Sequence, residues 1–253
     1  IKFKSFSESI FNKITAAYPQ NKVTKKFLNE LKINKIKDLG NLKLVENTYD
    51  KQDYINNKLN IQFKKYKTWI AASTHTNEEV FCAKAHIELK KKNKNLITII
   101  IPRHVHRVQD IISQIQKLNL KVVTHSSKMK TLKNVDIYIV DTFGDSQKFF
   151  KISNTVLMGK FLITKGSQNP LEAVRYGAKI LHGPNFDNFT DIFKLLKSLK
   201  ISKRITSIRQ LITEITFKKD MRRGLKIKKI GVLILKKTLK ELEIYINNEP
   251  KKT

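Results

Sequence analysis

Arg103 and Arg107 stand four residues apart, just after the apolar run Leu96–Pro102, and are two of only seven arginines in the chain. A guanidinium can grip a phosphate through two parallel hydrogen bonds, which a lysine point charge cannot do. Further on, "KGSQNPLEAVRYGAKILHGPNF" (165–186) sets Asn169, Pro170 and Glu172 together between glycines. Pro170 marks a helix start. Free N–H groups and the positive end of the helix dipole suit a phosphate there. A first-turn carboxylate such as Glu172 can accept hydrogen bonds from ribose hydroxyls. These residue types point to a nucleotide-bearing ligand. Each also has a plainer role: Arg103 as an ion-pair partner, Asn169 as an N-cap, Glu172 as an acid complementing the dipole, Asp141 as a cap. His75 can equally be a loop histidine. The histidines show no metal-ligand spacing, and the single Cys82 excludes both an internal disulfide and a cysteine metal cluster. No metal and no cofactor is expected.

The elements that must position these residues alternate strand and helix. "TWIAAS", "LITIIIP", "KVVTHS", "VDIYIVDT", "TVLMG", "AKILHGP" and the weaker "KRITSI" read as seven strands. Between them, "VHRVQDIISQIQKL" and "NFTDIFKLLKSLK" have helical period, and Thr76 with Glu79 forms a T-x-x-E pattern ahead of a helix from Glu78. Such alternation implies right-handed βαβ units and a Rossmann-like parallel sheet flanked by helices, an α/β fold. In that fold, ligands bind at the carboxyl ends of the strands. The residues falling there are Ser73, Thr74 and His75; then Arg103, His104 and Arg107; then Asp141, Thr142 and Gly144; then Gly159 and Lys160; then Gly183 and Asn185. Before the first strand, "TAAYP" is a possible strand and "LGNLKL" a strand opening.

The net charge is +30 over 253 residues, with 44 lysines. General enrichment in Lys, Asn and Ile accounts for much of it, and an anionic partner adds to it. Aromatic residues do not interleave with basic ones in a stacking motif, so nucleic acid is not expected. No run approaches the roughly 18 apolar residues a membrane span needs. The basic tail from Lys218 reads either as an amphipathic helix on a membrane or as a helix closing back on the fold. The chain begins at Ile1, not Met, which fits a piece of a longer protein.

"ASTHTNEE" (72–79), "IIPRHVHR" (100–107), "VDTFGD" (140–145) and "GSQNPLEAVRYGAKILHGPNFDNF" (166–189), in this order, resemble the C-terminal half of the 3-deoxy-D-manno-octulosonic acid (Kdo) transferases; "GNLKL" (40–44) resembles the segment joining their halves. The resemblance implies the C-terminal domain of a GT-B glycosyltransferase that moves Kdo from CMP-Kdo to the lipid A precursor, in lipopolysaccharide core biosynthesis. It implies a peripheral enzyme on the cytoplasmic face of the bacterial inner membrane, drawn to an anionic surface. It divides the chain into a remnant of the acceptor domain (1–43), a donor-binding domain (44–217) and a basic helical segment (218–253). The family's catalytic carboxylate belongs to the N-terminal domain, so no catalytic residue is expected here and the chain alone is expected to be inactive. The donor-binding residues implied are Ser73, Thr74, His75, Arg103, His104, Arg107, Thr142, Gly144, Gly159, Lys160, Asn169 and Glu172. Lys160 departs from the family pattern, which places a glycine there. Two alternatives remain open: a GT-B enzyme using another nucleotide sugar, or a basic nucleic-acid-binding protein.

Overall fold

A computed structural model describes residues 4–45, 54–160, 162, 168–184 and 189–246. The helices are α1 (Lys4–Phe11), α2 (Lys22–Glu30), α3 (Asn57–Phe63), α4 (Glu78–Lys92), α5 (Val108–Gln116), α6 (Ser146–Phe150), α7 (Leu171–Arg175), α8 (Thr190–Ser198), α9 (Ile208–Glu214) and α10 (Arg222–Ile246). The strands are β1 (Lys67–Thr74), β2 (Leu96–Pro102), β3 (Val122–Thr124), β4 (Ile137–Ile139), β5 (Thr155–Met158), β6 (Lys179–His182) and β7 (Ser202–Arg204). The chain packs as two units, Asp50–Leu225 and Ile1–Tyr49 with Lys226–Thr253.

The larger unit holds one sheet of seven strands in the order β3-β4-β2-β1-β5-β6-β7, every pair parallel. This is the α/β architecture expected from the strand–helix alternation. Parallel strands covered on both faces are buried throughout, which is why β2 reads as an unbroken apolar run and has no exposed residue. On one face, Trp69, Ala71, Ile100 and Leu157 pack with Cys82, Ile111, Ile115 and Leu211 from α4, α5 and α9. Elsewhere in the core, Phe63, Tyr138 and Phe149 meet edge to face or tilted.

In the smaller unit, α10 turns Ile227, Gly231, Ile234 and Glu241 inward. Gly231 stands so close to the Leu44 carbonyl that a Cβ would lie 2.4 Å from its oxygen. Glu241 takes an ion pair from Lys37 at 2.6 Å and another from Lys35 at 3.4 Å. No described helix is long and apolar enough to cross a membrane.

Three local expectations are corrected. "LGNLKL" forms no strand: Leu42–Leu44 is a 3-10 turn, closed by Asn41, whose side chain accepts from the Lys43 N–H at 2.9 Å. "TAAYP" contributes only an isolated bridge between Ala17 and Ile36. The T-x-x-E box does not form. Asn77 occupies the N-cap of α4 at φ +72° without a side-chain cap, and Glu79 turns into the interior.

Candidate functional site

The strand order reverses direction between β1 and β5. From β1 the chain moves to β2 on one side, and β5 opens the other side of the sheet. A crevice at the carboxyl ends of such strands is where open α/β sheets take their ligands. The residues lining that edge are Ser73, Thr74 and His75 after β1, and Gly159 and Lys160 after β5.

The local backbone there is unusual. The register slips between Ala72 and Thr74, leaving Ser73 as the extra residue of a bulge at φ +55°. The bulge pushes the Ser73 carbonyl against Gly159, where an added Cβ would lie 2.0 Å from its oxygen. Only glycine fits. Lys160 follows at φ +67°, a conformation that L side chains disfavour.

Two carboxylates organise this edge from beneath. Glu78, 0% exposed, accepts backbone hydrogen bonds from His75 (2.9 Å), Lys160 (3.0 Å) and Leu162 (3.0 Å). Glu79, 1% exposed, accepts from Thr74 Oγ1 at 2.9 Å and from both terminal nitrogens of Arg107, at 3.0 and 3.3 Å. The Arg103 N–H donates to the Thr74 carbonyl at 3.0 Å, joining the loop after β2 to β1. The Arg103 residue itself is exposed.

Apart from the buried Glu78 and Glu79, the side chains that act on the His75 ring are basic groups and a second histidine. The His75 ring meets His104 edge-on at 5.7 Å, and His104 lies 5.6 Å from His106. Burial, then electrostatic interaction with Lys160, His104, Arg107 and Arg103, pushes the His75 imidazole down to about 4. It is therefore neutral near pH 7, and its Nε2 is buried without a hydrogen-bond partner among the described residues. A neutral imidazole with the cations of Arg103 and Lys160 acting on it is an arrangement able to receive an anion.

The structure thus gathers Thr74, His75, Arg103, His104, Arg107 and Lys160 at one edge, with Ser73 and Gly159 forming its backbone. Arg107 is held by Glu79. Thr142 and Gly144 follow β4, two strands away from β1, and Thr142 donates to Asp145. Asp141 accepts from the Ser126 N–H at 2.8 Å and so anchors the loop after β3. Asn169 accepts from the Leu171 N–H at 3.1 Å just ahead of α7, whose N-cap is Pro170, and Glu172 lies in the first turn of α7. Gly183 follows β6; Gly166, Ser167 and Asn185 lie outside the described residues. The residues that sequence reasoning passed over are Glu78 and Glu79, read there as helix-start acids. Among the described residues no group of three or more histidine, cysteine or acidic side chains is placed to hold a metal ion.

No protein-family model matches the chain. A 3-deoxy-D-manno-octulosonic acid transferase of Rickettsia felis is 28% identical over 228 residues, covering 90% of this chain and 49% of that protein. The transferase of the same name from Haemophilus influenzae is 27% identical over 198 residues, covering 77% of this chain and 46% of its own length. In sequence the chain is similar to the Kdo transferases. It spans about half the length of the curated relatives it matches. Among solved structures, the C-terminal CMP-Kdo binding domain of WaaA from Acinetobacter baumannii matches at a TM-score of 0.57 and 20% identity, over 70% of this chain and 91% of that domain. A glycosyltransferase from Rickettsia africae matches at a TM-score of 0.53 and 14% identity, over 98% of this chain and 68% of the other. The fold is accordingly that of the C-terminal domain of GT-B glycosyltransferases, as the Kdo transferase resemblance implied.

Proposed function

We propose that this chain is the donor-binding part of a Kdo transferase, taking CMP-Kdo at the carboxyl edge of β1 and β5 within residues 44–217. The observation that carries this reading is the cluster of positive groups around a neutral His75 at the point where strand order reverses. CMP-Kdo carries both a phosphate and a sugar carboxylate, so a site with several cations suits it. Arg103, exposed and tied by its backbone to Thr74, is assigned to the donor phosphate or carboxylate. Lys160 adds a second cation. Thr142 and Gly144 after β4, and Asn169 and Glu172 at the start of α7, are assigned to the nucleoside end.

Transfer requires that the acceptor hydroxyl lose a proton as CMP departs. Cations at the phosphate stabilise the charge growing on the leaving group. The proton needs a carboxylate within hydrogen-bond reach of the attacking oxygen. Glu78 and Glu79 are buried and fully engaged, so the base is assigned to a part of the enzyme outside this chain. The acceptor is the lipid A precursor, met at the cytoplasmic face of the inner membrane, whose anionic surface attracts the lysine-rich chain.

Titration calorimetry with CMP, CMP-Kdo and UDP tests the reading. CMP and CMP-Kdo are expected to bind, and Arg103→Ala to weaken both by about 10- to 100-fold, the value of a charged hydrogen bond or two. Absence of CMP binding, or equal binding of UDP, overturns it; the second result favours a GT-B enzyme with another donor.

A further inference from the structure

Glu78 is a buried carboxylate, 0% exposed, that the donor reading leaves without a role. Its Oε2 accepts from the His75 and Lys160 N–H groups, and its Oε1 from the Leu162 N–H. The first donor lies in the loop after β1. The other two lie in the loop after β5, 82 and 84 residues away in sequence. We propose that Glu78 is a positioning residue for the donor site: its buried carboxylate clasps the β5 loop to the β1 loop and so sets the spacing between Lys160 and His75. This rests on the donor-site reading above.

Helix capping accounts for only part of the geometry. An acid in the first turn of α4 complements the dipole and can reach back to the His75 N–H. It has no need of Lys160 or Leu162, which belong to a different crossover. The clasp also explains why two non-glycine residues, Ser73 and Lys160, sit at positive φ on either side of it. Such conformations persist where surrounding bonds hold them. Burial raises the Glu78 carboxyl above its ordinary value, while the N–H groups of Leu162, His75 and Lys160 pull it back. A carboxylate is suited to the task because it offers acceptors on both oxygens. The glutamine amide offers one oxygen and turns an NH2 toward a backbone donor.

The test compares the unaltered chain with Glu78→Gln by amide hydrogen exchange and by calorimetry with CMP. The Lys160 and Leu162 amides are expected to exchange at least about tenfold faster in the variant. CMP is expected to bind about tenfold more weakly, as when the competent loop arrangement falls to about one-tenth of the population. Ile99 and Ile139, in the middle of the sheet, report whether the fold survives. If they lose protection, Leu162→Pro replaces the variant: it deletes one N–H donor at an exposed side chain, and exchange at the Lys160 amide with CMP affinity are then the two readings. Unchanged exchange at Lys160 together with unchanged CMP affinity overturns the clasp. Failure of the unaltered chain to bind CMP overturns the donor reading instead, and the exchange measurement alone then decides the clasp.

Discussion

Gly159 and Lys160 are neighbours with opposite problems. At Gly159 there is no room for a side chain, because the Ser73 carbonyl occupies the space. Gly159→Ala is expected to force β1 and β5 apart and to cost about 2–3 kcal/mol, read as a lower urea midpoint at unchanged slope. At Lys160 there is a side chain where the backbone prefers none. Lys160→Gly is expected to raise stability by roughly 1 kcal/mol by relieving the positive φ, while lowering CMP affinity through loss of a cation. A rise in stability with no loss of affinity would remove Lys160 from the donor site. His75 provides a pH signature. Its folded value of about 4 lies below the ordinary 6.5. The unfolded chain therefore binds a proton that the folded chain refuses across that window. Stability falls as pH drops from about 6.5 towards 4, and His75→Gln is expected to flatten that slope in denaturant titrations across the same range.

At the scale of elements, the two arginines that look alike in the sequence have different duties. Arg107 sits in the turn between β2 and α5 and pairs bidentately with Glu79 of α4, while Arg103 stands exposed at the strand end. Arg107→Ala leaves a buried carboxylate without its partner and is expected to cost about 3 kcal/mol. Arg103→Ala is expected to leave the melting midpoint nearly unchanged and to act on CMP binding. Thermal melts and calorimetry on the two variants separate the roles; equal melting losses would undo the distinction. Spacing of four residues on one turn could not tell these arginines apart. The difference is made by α4, which brings Glu79 under only one of them.

For the whole molecule, charge is the dominant property. At +30 the chain is expected to sediment with vesicles containing phosphatidylglycerol at low salt, and not with neutral phosphatidylcholine vesicles. Binding should fade as salt rises toward 1 M, where the screening length shrinks to about 3 Å. Retention at that salt would mean that apolar contact, and not charge, dominates. The exposed Leu225, Val232, Leu233, Leu239 and Leu242 of α10 are the side chains available for such contact.

Seven strands, their parallel arrangement and the edge carrying Ser73 to His75, Arg103 and Gly159 were legible in the sequence alone. Apolar runs ended by Gly, Pro and polar residues, separated by helical periodicity, permit few other folds. The same signals do not reveal which residue of a polar edge faces a ligand and which faces the interior. Glu78 and Glu79 look like solvated helix-start acids in one dimension. In three dimensions they are buried, because the loops after β2 and β5 fold over α4 and bring N–H groups and a guanidinium to them. The strand order that makes β1 and β5 the crevice, the bulge at Ser73 and the clasp across 84 residues all depend on contacts between distant segments. Periodicity along a chain records what each element prefers. Only packing decides which elements meet.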